Sequence, residues 1–313
     1  MERNENKARK SLIIVLLVIY IIVIFISTYF IIAINKEYKN NKLEKDNLSK
    51  TLEEKTSYLE EKNSYQKELK EKLDNLNNIS ENTNKLKEEV FSLASKLEKQ
   101  IKDGKNTYKI AYLTFDDGPY YLTNQFLDVL DKYNVKGTFF TIGLNKDICF
   151  DNTSQSCSGM YKKIVDRGHT IANHTYSHAI FRGLYSSADS FIYQVTLQEN
   201  KIKDKTGVKT NIVRFPGGSA TSGSLKNSII AKLRSKGYGW VDWTAQDGDG
   251  GALANKAEAW KNFTNSINED IEVVLFHDYN NITLSILPQA IEYLEKNNYI
   301  ILPLFYDSVM VNK

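Results

Sequence analysis

Side chains able to hold a metal or move a proton gather at the ends of apolar runs in this sequence. The run YKIAYLTF closes on Asp116-Asp117, TIAN leads into His174 and His178, and VVLF is followed by His277. The chain has four histidines, and three of them fall at such ends. His174 and His178 stand four apart, so one helical turn, or a tight loop like it, aims both imidazoles the same way. Two imidazoles and one carboxylate are a common ligand set for a divalent cation, with positions left for water and substrate. The spacing alone is weak. An acidic pair at a neighbouring run end makes a metal site the better reading than two surface histidines.

A cation so held lowers the pKa of its bound water and polarises a carbonyl oxygen. A hydrolase of that kind still needs a base for the water and an acid for the leaving group. Asp117 can serve as ligand while Asp116, turned away, accepts the proton, and His277 is the remaining acid. Arg214, in NIVRFPGG, can hold Asp116 ionised, since a nearby positive charge lowers a carboxylate pKa. Pro216-Gly217-Gly218 brings backbone without side chains close by, where an N–H can bind an oxyanion. The stretch WVDWTAQDGD adds Asp242, Asp247 and Asp249. Taken singly, Arg214 reads equally well as a salt-bridge residue, PGG as a turn and His277 as a buried histidine. Their joint placement at run ends favours chemistry.

Those ends belong to a repeating pattern. From about Thr107, β-rich runs alternate with helical ones: TYKIAYLTF with TNQFLDVLDKYN, GTFFTIG with MYKKIVDRG, and so on to YIILPLF. Seven or so β/α alternations with buried strands imply an α/β fold. Its parallel sheet has helices outside and is closed, or nearly closed, into a barrel. Such folds gather chemistry at the carboxyl ends of their strands, where the polar set falls.

The sequence ahead of that pattern has a different texture. Residues 1–11 form a short polar start, and residues 12–34 are almost wholly apolar. At about 1.5 Å per residue the latter reach roughly 34 Å, enough to span a bilayer as an uncleaved signal anchor. Lysines and arginines flank both sides, so charge alone does not orient the span. Residues 35–104 hold no proline, and all 16 glycines of the chain lie at or beyond Gly104. Leu69-Leu73-Leu76 and Leu86-Val90-Leu93-Leu97 recur at three and four, as a helical stalk with a self-associating coiled-coil seam requires. The net charge of +3 is too small to suggest a nucleic-acid partner.

At this point the residues resemble a known family. Residues 107–308, within the unit read as 105–313, look like the polysaccharide deacetylase, or NodB homology, domain of carbohydrate esterase family 4. TFDDGP at 114–119 is similar to its first motif, in which the first Asp is the base and the second a metal ligand. HTYSH at 174–178 resembles the motif that completes the metal triad. RFPGG at 214–218 resembles the motif whose arginine steadies the base and whose loop offers an oxyanion N–H, here that of Gly217. LFH at 275–277 resembles the last motif, with Leu275 lining the acetate pocket and His277 as acid. For the fourth motif the resemblance implies an acid paired to the catalytic histidine and a Trp walling the pocket. Asp249 is the first choice for the acid and Asp247 its rival. Trp243 is the nearby Trp, and Gly250 stands where Trp is expected, which implies a more open pocket.

The resemblance implies a distorted (β/α)7 barrel with Zn2+, or Co2+ or another divalent ion. The reaction it implies is hydrolysis of N-acetyl groups on an N-acetylglucosamine polymer outside a bacterial cell, most simply peptidoglycan. The protein would then be a single-pass membrane protein with residues 1–11 inside and the catalytic domain outside, protecting the wall against lysozyme. Outside a reducing cytosol, Cys149 and Cys157 could close a small disulfide loop. Two other readings stand: a deacetylase of an exopolysaccharide or chitin-like oligomer, and an envelope scaffold whose head is catalytically dead. The complete Asp116, Asp117, His174, His178 and His277 set argues against the scaffold.

Overall fold

The computed structural model describes residues 34–53, 56–57, 83–104, 109–144 and 157–313, in two compact units, residues 1–65 and 66–313. In the first unit, residues 34–53 form a helix, α1, exposed throughout, with Leu43, Leu48 and Leu52 among its exposed side chains. Except for Ile34, the apolar segment read as an anchor lies outside the described residues, as does the Leu69-Leu73-Leu76 part of the seam. Among the described residues no helix is long and apolar enough to cross a membrane.

The second unit is built on a sheet whose named strands all pair in parallel: β1 (Lys109–Asp116), β2 (Thr138–Thr141), β3 (Thr170–Asn173), β4 (Ile212–Val213), β5 (Gly239–Trp240), β6 (Ala245–Gln246), β7 (Ile271–His277) and β8 (Tyr299–Leu302). The order runs β5-β4-β3-β2-β1-β7-β6. β1 pairs along nearly its whole length with β7, while its other edge takes β8 at the start and β2 at the end. The strands read as unbroken apolar runs because both faces are covered, and β1 is buried from Ile110 to Asp116. Between them run α3 (Thr123–Lys132), α4 (Cys157–Asp166), α5 (Ala188–Thr206), α6 (Lys226–Ser235), α7 (Lys256–Ser266) and α8 (Asn281–Lys296). Several start where the sequence supplies a cap: the Ser187, Asn255 and Asn280 side chains accept backbone N–H groups of the first turns.

The expected barrel of seven strands is instead a curled, open sheet of eight, whose path ends at β5 and β6 without pairing those two. The Val241 N–H still bonds the Val213 carbonyl of β4, and the outer edge of β5 is taken by Asn312, which exchanges backbone bonds with Trp240. The Val241 and Asp242 carbonyls that follow accept the Nε and Nη2 of buried Arg214.

A second departure concerns the stalk. Helix α2 (Thr83–Lys102) falls inside the region expected to be stalk, yet belongs to the β/α unit. Val90, Ala94, Leu97 and Ile101 are buried, and Phe91 stacks on Phe305 at 4.8 Å. Glu98, fully buried, accepts from Tyr112 Oη and Ser308 Oγ at 2.5 Å each and from the Val309 N–H at 3.0 Å. Grooves beside α2 are lined by Thr170-Ile171, Thr210-Asn211 and Asp270-Ile271, so the helix lies across the amino ends of β3, β4 and β7. The spacing of three and four does make a helical seam, but from residue 83 on, that seam meets the chain's own sheet.

Candidate active site

Sheet register does the first part of the assembly. Asp116 and His277 end adjacent strands as direct register partners, and Asp116 also pairs with Phe140. Asn173 pairs with Val213, so His174 and Arg214, the next residues on each strand, emerge side by side.

The Asp117, His174 and His178 donor atoms lie within 4.8 Å of one another. Asp117 Oδ1 is 3.5 Å from His174 Nε2 and 3.3 Å from His178 Nε2. His174 Nδ1 stands 2.9 Å from the Arg214 carbonyl, which only accepts, so Nδ1 carries the hydrogen and the Nε2 lone pair faces Asp117. Burial, and then the neighbouring His178, push His174 down to about 3, so it is neutral at any ordinary pH. One carboxylate and two imidazoles, one of them neutral and oriented by a backbone carbonyl, fit a Zn2+-type cation.

His178 is delivered by a loop rather than a helical turn, and the backbone there is strained. Asp117 (φ 70°), Thr175 (φ 68°) and His178 (φ 50°) lie in the left-handed region that side chains disfavour. Local bonds hold the loop: Asn173 Oδ1 accepts the Thr175 N–H at 2.9 Å, and Thr175 Oγ1 accepts the His178 N–H at 3.3 Å.

Asp116 bridges the metal-site imidazole and the arginine, with Oδ1 2.9 Å from Arg214 Nη1 and Oδ2 3.6 Å from His174 Nε2. Arg214 is fully buried, also donates from Nη1 to Thr114 Oγ1 at 2.7 Å, and lays its guanidinium over the Phe140 ring. The charge of Arg214 was expected to lower the Asp116 pKa. Burial is the larger influence and pushes it up, with Arg214 opposing. The result suits a proton acceptor, which works best when its pKa lies nearer the operating pH.

Of the two rival acids, the structure brings Asp249 to His277. Its Oδ1 is 2.7 Å from His277 Nδ1, and its Oδ2 accepts the His277 N–H at 2.7 Å. Burial disfavours the imidazolium, but the hydrogen bond and charge of Asp249, helped by Asp117 and Asp116, outweigh it and push His277 up to about 9. Asp247 stands one step back, accepting from the Asp249 N–H at 3.0 Å and from Thr283 Oγ1 at 2.8 Å. Burial and the adjacent Asp249 push Asp247 up to about 7. Gly250 has a steric reason: a Cβ there would sit 3.0 Å from His277 Cε1.

Trp243 packs over the glycine loop, with its ring 3.1 Å from where a Cβ on Gly218 would be. The Gly218 N–H is committed to the Phe215 carbonyl, whereas among the described residues no acceptor takes the Gly217 N–H. Leu275 is buried two positions before His277 and so shares its face of β7. Three contributors went unassigned in the sequence. Thr114 receives Arg214, and its signal was a lone hydroxyl inside an apolar run. Asp242 anchors the glycine loop by accepting from the Ser219 N–H at 2.9 Å and Ser219 Oγ at 2.5 Å. Buried Asp278 accepts from Thr123 Oγ1 behind the Asp117 turn, where a Cβ on Gly118 would collide with its carboxyl group. Cys157 opens α4, and Cys149, with any bond between them, lies outside the described residues.

Comparison with known proteins adds a second line of support. A family model described as polysaccharide deacetylase matches residues 103–238. A bifunctional xylanase/deacetylase from Pseudobutyrivibrio xylanivorans is 30% identical over 212 residues, 66% of this chain but 32% of its own length. A peptidoglycan-N-acetylglucosamine deacetylase from Bacillus cereus is 26% identical over 196 residues, 61% of this chain and 67% of its own. The chain thus spans about a third of the first relative and two thirds of the second. Among solved structures, the catalytic domain of peptidoglycan N-acetylglucosamine deacetylase from Eubacterium rectale superposes with a TM-score of 0.59 at 32% identity, covering 66% of this chain and 93% of that one.

Proposed function

The chain belongs to the polysaccharide deacetylase family, and from that premise we propose that it hydrolyses the N-acetyl groups of N-acetylglucosamine residues in peptidoglycan. The observation that carries the reading is the division of labour around Asp116-Asp117, with one carboxylate on Arg214 and the other among two imidazoles. Asp117, His174 and His178 would hold the cation, zinc by donor type, which supplies carbonyl polarisation and an acidified water when bound. Asp116 takes the proton of the attacking water. The Gly217 N–H receives the developing oxyanion. His277, kept cationic by Asp249, gives its proton to the departing amine, and Leu275 and Trp243 wall the space for the acetyl methyl group.

The wider setting belongs to the same proposal. Residues 12–34 anchor the chain in the cell membrane with residues 1–11 inside, and the β/α unit works on the outer, wall-facing side. Helix α1, with exposed Leu43, Leu48 and Leu52, serves as part of a self-associating stalk. Free amines left on the glycan would hinder lysozyme-like hydrolases. Chitin deacetylases among the relatives, at 31% and 29% identity, favour a chitin-like oligomer as the second substrate to try. The deciding experiment measures acetate released from peptidoglycan and from poly-N-acetylglucosamine by the full chain, after chelation and after Zn2+ is restored. Zinc-dependent release from peptidoglycan is expected. No release from either polymer would overturn the reading.

A further inference from the structure

Five large apolar side chains are exposed among the described residues of the β/α unit, and three of them stand on one arc. Tyr121 follows β1, Leu144 follows β2 and Phe181 follows β3, three strands adjacent in the sheet, all at its carboxyl end. Tyr193 and Val208 lie elsewhere, on α5 and just past its end. Single exposed apolar residues need no explanation, but an arc around one mouth is not scatter. Phe181 is the extreme member, with 98% of its surface exposed.

Phe181 is also held rather than loose. It sits in the irregular turn Ile180–Leu184, which begins two residues after His178 and in which Arg182 and Gly183 depart from helical dihedrals. The Ile180 N–H bonds the His178 carbonyl at 2.9 Å, and the Leu184 N–H returns to Ala179 at 3.2 Å. Gly183, at φ 94°, allows the turn to close. Leu184 is buried, and Tyr185 Oη donates to the Pro216 carbonyl at 2.8 Å. Ile180 Cδ1 would lie 3.3 Å from a Cβ on Gly217, so the turn abuts the glycine loop. With three Cα–Cα steps of about 3.8 Å separating it from His178, Phe181 stands within roughly 11 Å of a metal-site residue.

We infer that Phe181 is a stacking platform for a sugar ring of the polymer next to the ring being deacetylated, with Tyr121 and Leu144 continuing that apolar rim. A pyranose presents a face of C–H groups and an edge of hydroxyls, so a flat aromatic held open to solvent can cover the face while water keeps the edge. The inference rests on the deacetylase reading and adds to it a requirement for neighbouring sugars.

The test uses the full chain stripped of metal, so that binding is read without turnover, and compares an N-acetylglucosamine tetrasaccharide with the monosaccharide. Phe181→Ala is expected to weaken tetrasaccharide binding about tenfold while leaving the monosaccharide unchanged, and Phe181→Trp to keep wild-type affinity. Equal tetrasaccharide affinity in wild type and Phe181→Ala overturns the inference, and if wild type still releases acetate the deacetylase reading survives it. A change in oligomeric state with tetrasaccharide affinity unaltered also overturns it, because the arc would then face another copy of the chain. If wild type neither binds the tetrasaccharide nor, once reloaded with zinc, releases acetate, the deacetylase reading fails and the platform falls with it.

Discussion

At the amino half of β1, fully buried Glu98 accepts hydrogen bonds from Tyr112, Ser308 and the Val309 N–H. At the carboxyl end of the same strand, Asp116 is just as deeply buried and pairs with Arg214. Burial pushes both carboxyl groups up. Their surroundings differ. Glu98 sits on a regular helix and is met on all sides by donors, which makes it a staple between α2 and the sheet. Asp116 precedes a residue at φ 70°, and the Nε2 atoms of His174 and His178 converge beside it on strained loops. A buried carboxylate is thus no mark of a site by itself. Strained backbone that gathers more donor atoms than its own bonds use is the stronger signal.

That contrast can be broken from either end. The largest effect is expected from Asp117→Ala, which removes the only carboxylate of the ligand set. Metal content should fall to background and acetate release by at least about a thousandfold, with the melting temperature of the metal-free protein little changed. Next, comparing residues 83–313 with residues 103–313 removes α2. The shorter piece should lose about 4 kcal/mol of stability in urea denaturation, because the sheet loses the apolar cover that Val90, Ala94, Leu97 and Ile101 give it. Glu98→Ala, read the same way, should cost about 2–3 kcal/mol by stranding buried Tyr112 and Ser308 hydroxyls, and leave turnover at low temperature near wild type. Equal losses of activity and stability in Glu98→Ala would erase the distinction between the two ends.

The smallest effect is a shift in pH dependence. His277 is raised from 6.5 to about 9 by Asp249, so the proton-donating form persists up to that pH. Below about 6.5 the pair contributes its full stability, and that contribution is lost as pH rises through about 9. In Asp249→Asn the imidazolium loses its support and titrates near or below its ordinary value. Activity relative to wild type should then fall about thirtyfold further at pH 8 than at pH 6, and a pH–rate profile checks this.

Much of the site was legible in the sequence because strands end where apolar runs end, and parallel strands bring their carboxyl ends to one rim. Asp116, Asp117, His174, His178, Arg214 and His277 were all placed that way. Asp249 was the first choice over Asp247, but the bonds that set it on His277, and Asp247 behind it, depend on backbone geometry such as Gly248 at φ 87° that a sequence does not display. The direction of the Asp116 shift was also out of reach, because the charge of Arg214 is visible in a sequence and the depth of burial is not. The α2 stripe shows why the stalk was drawn too long: apolar residues at three and four spacing specify a helix with a covered face, not what covers it. The gap between β5 and β6 was likewise invisible, since the outer edge of β5 is taken by Asn312, from the far end of the chain.

In the proposed chemistry two adjacent aspartates hold separate roles. Asp116→Asn, assayed for bound zinc and for acetate released from peptidoglycan in the same preparation, tests this most directly. Zinc should remain at the wild-type level while acetate release drops by about a hundredfold to ten-thousandfold. Acetate release at the wild-type rate, or loss of the zinc along with the activity, would contradict the assignment.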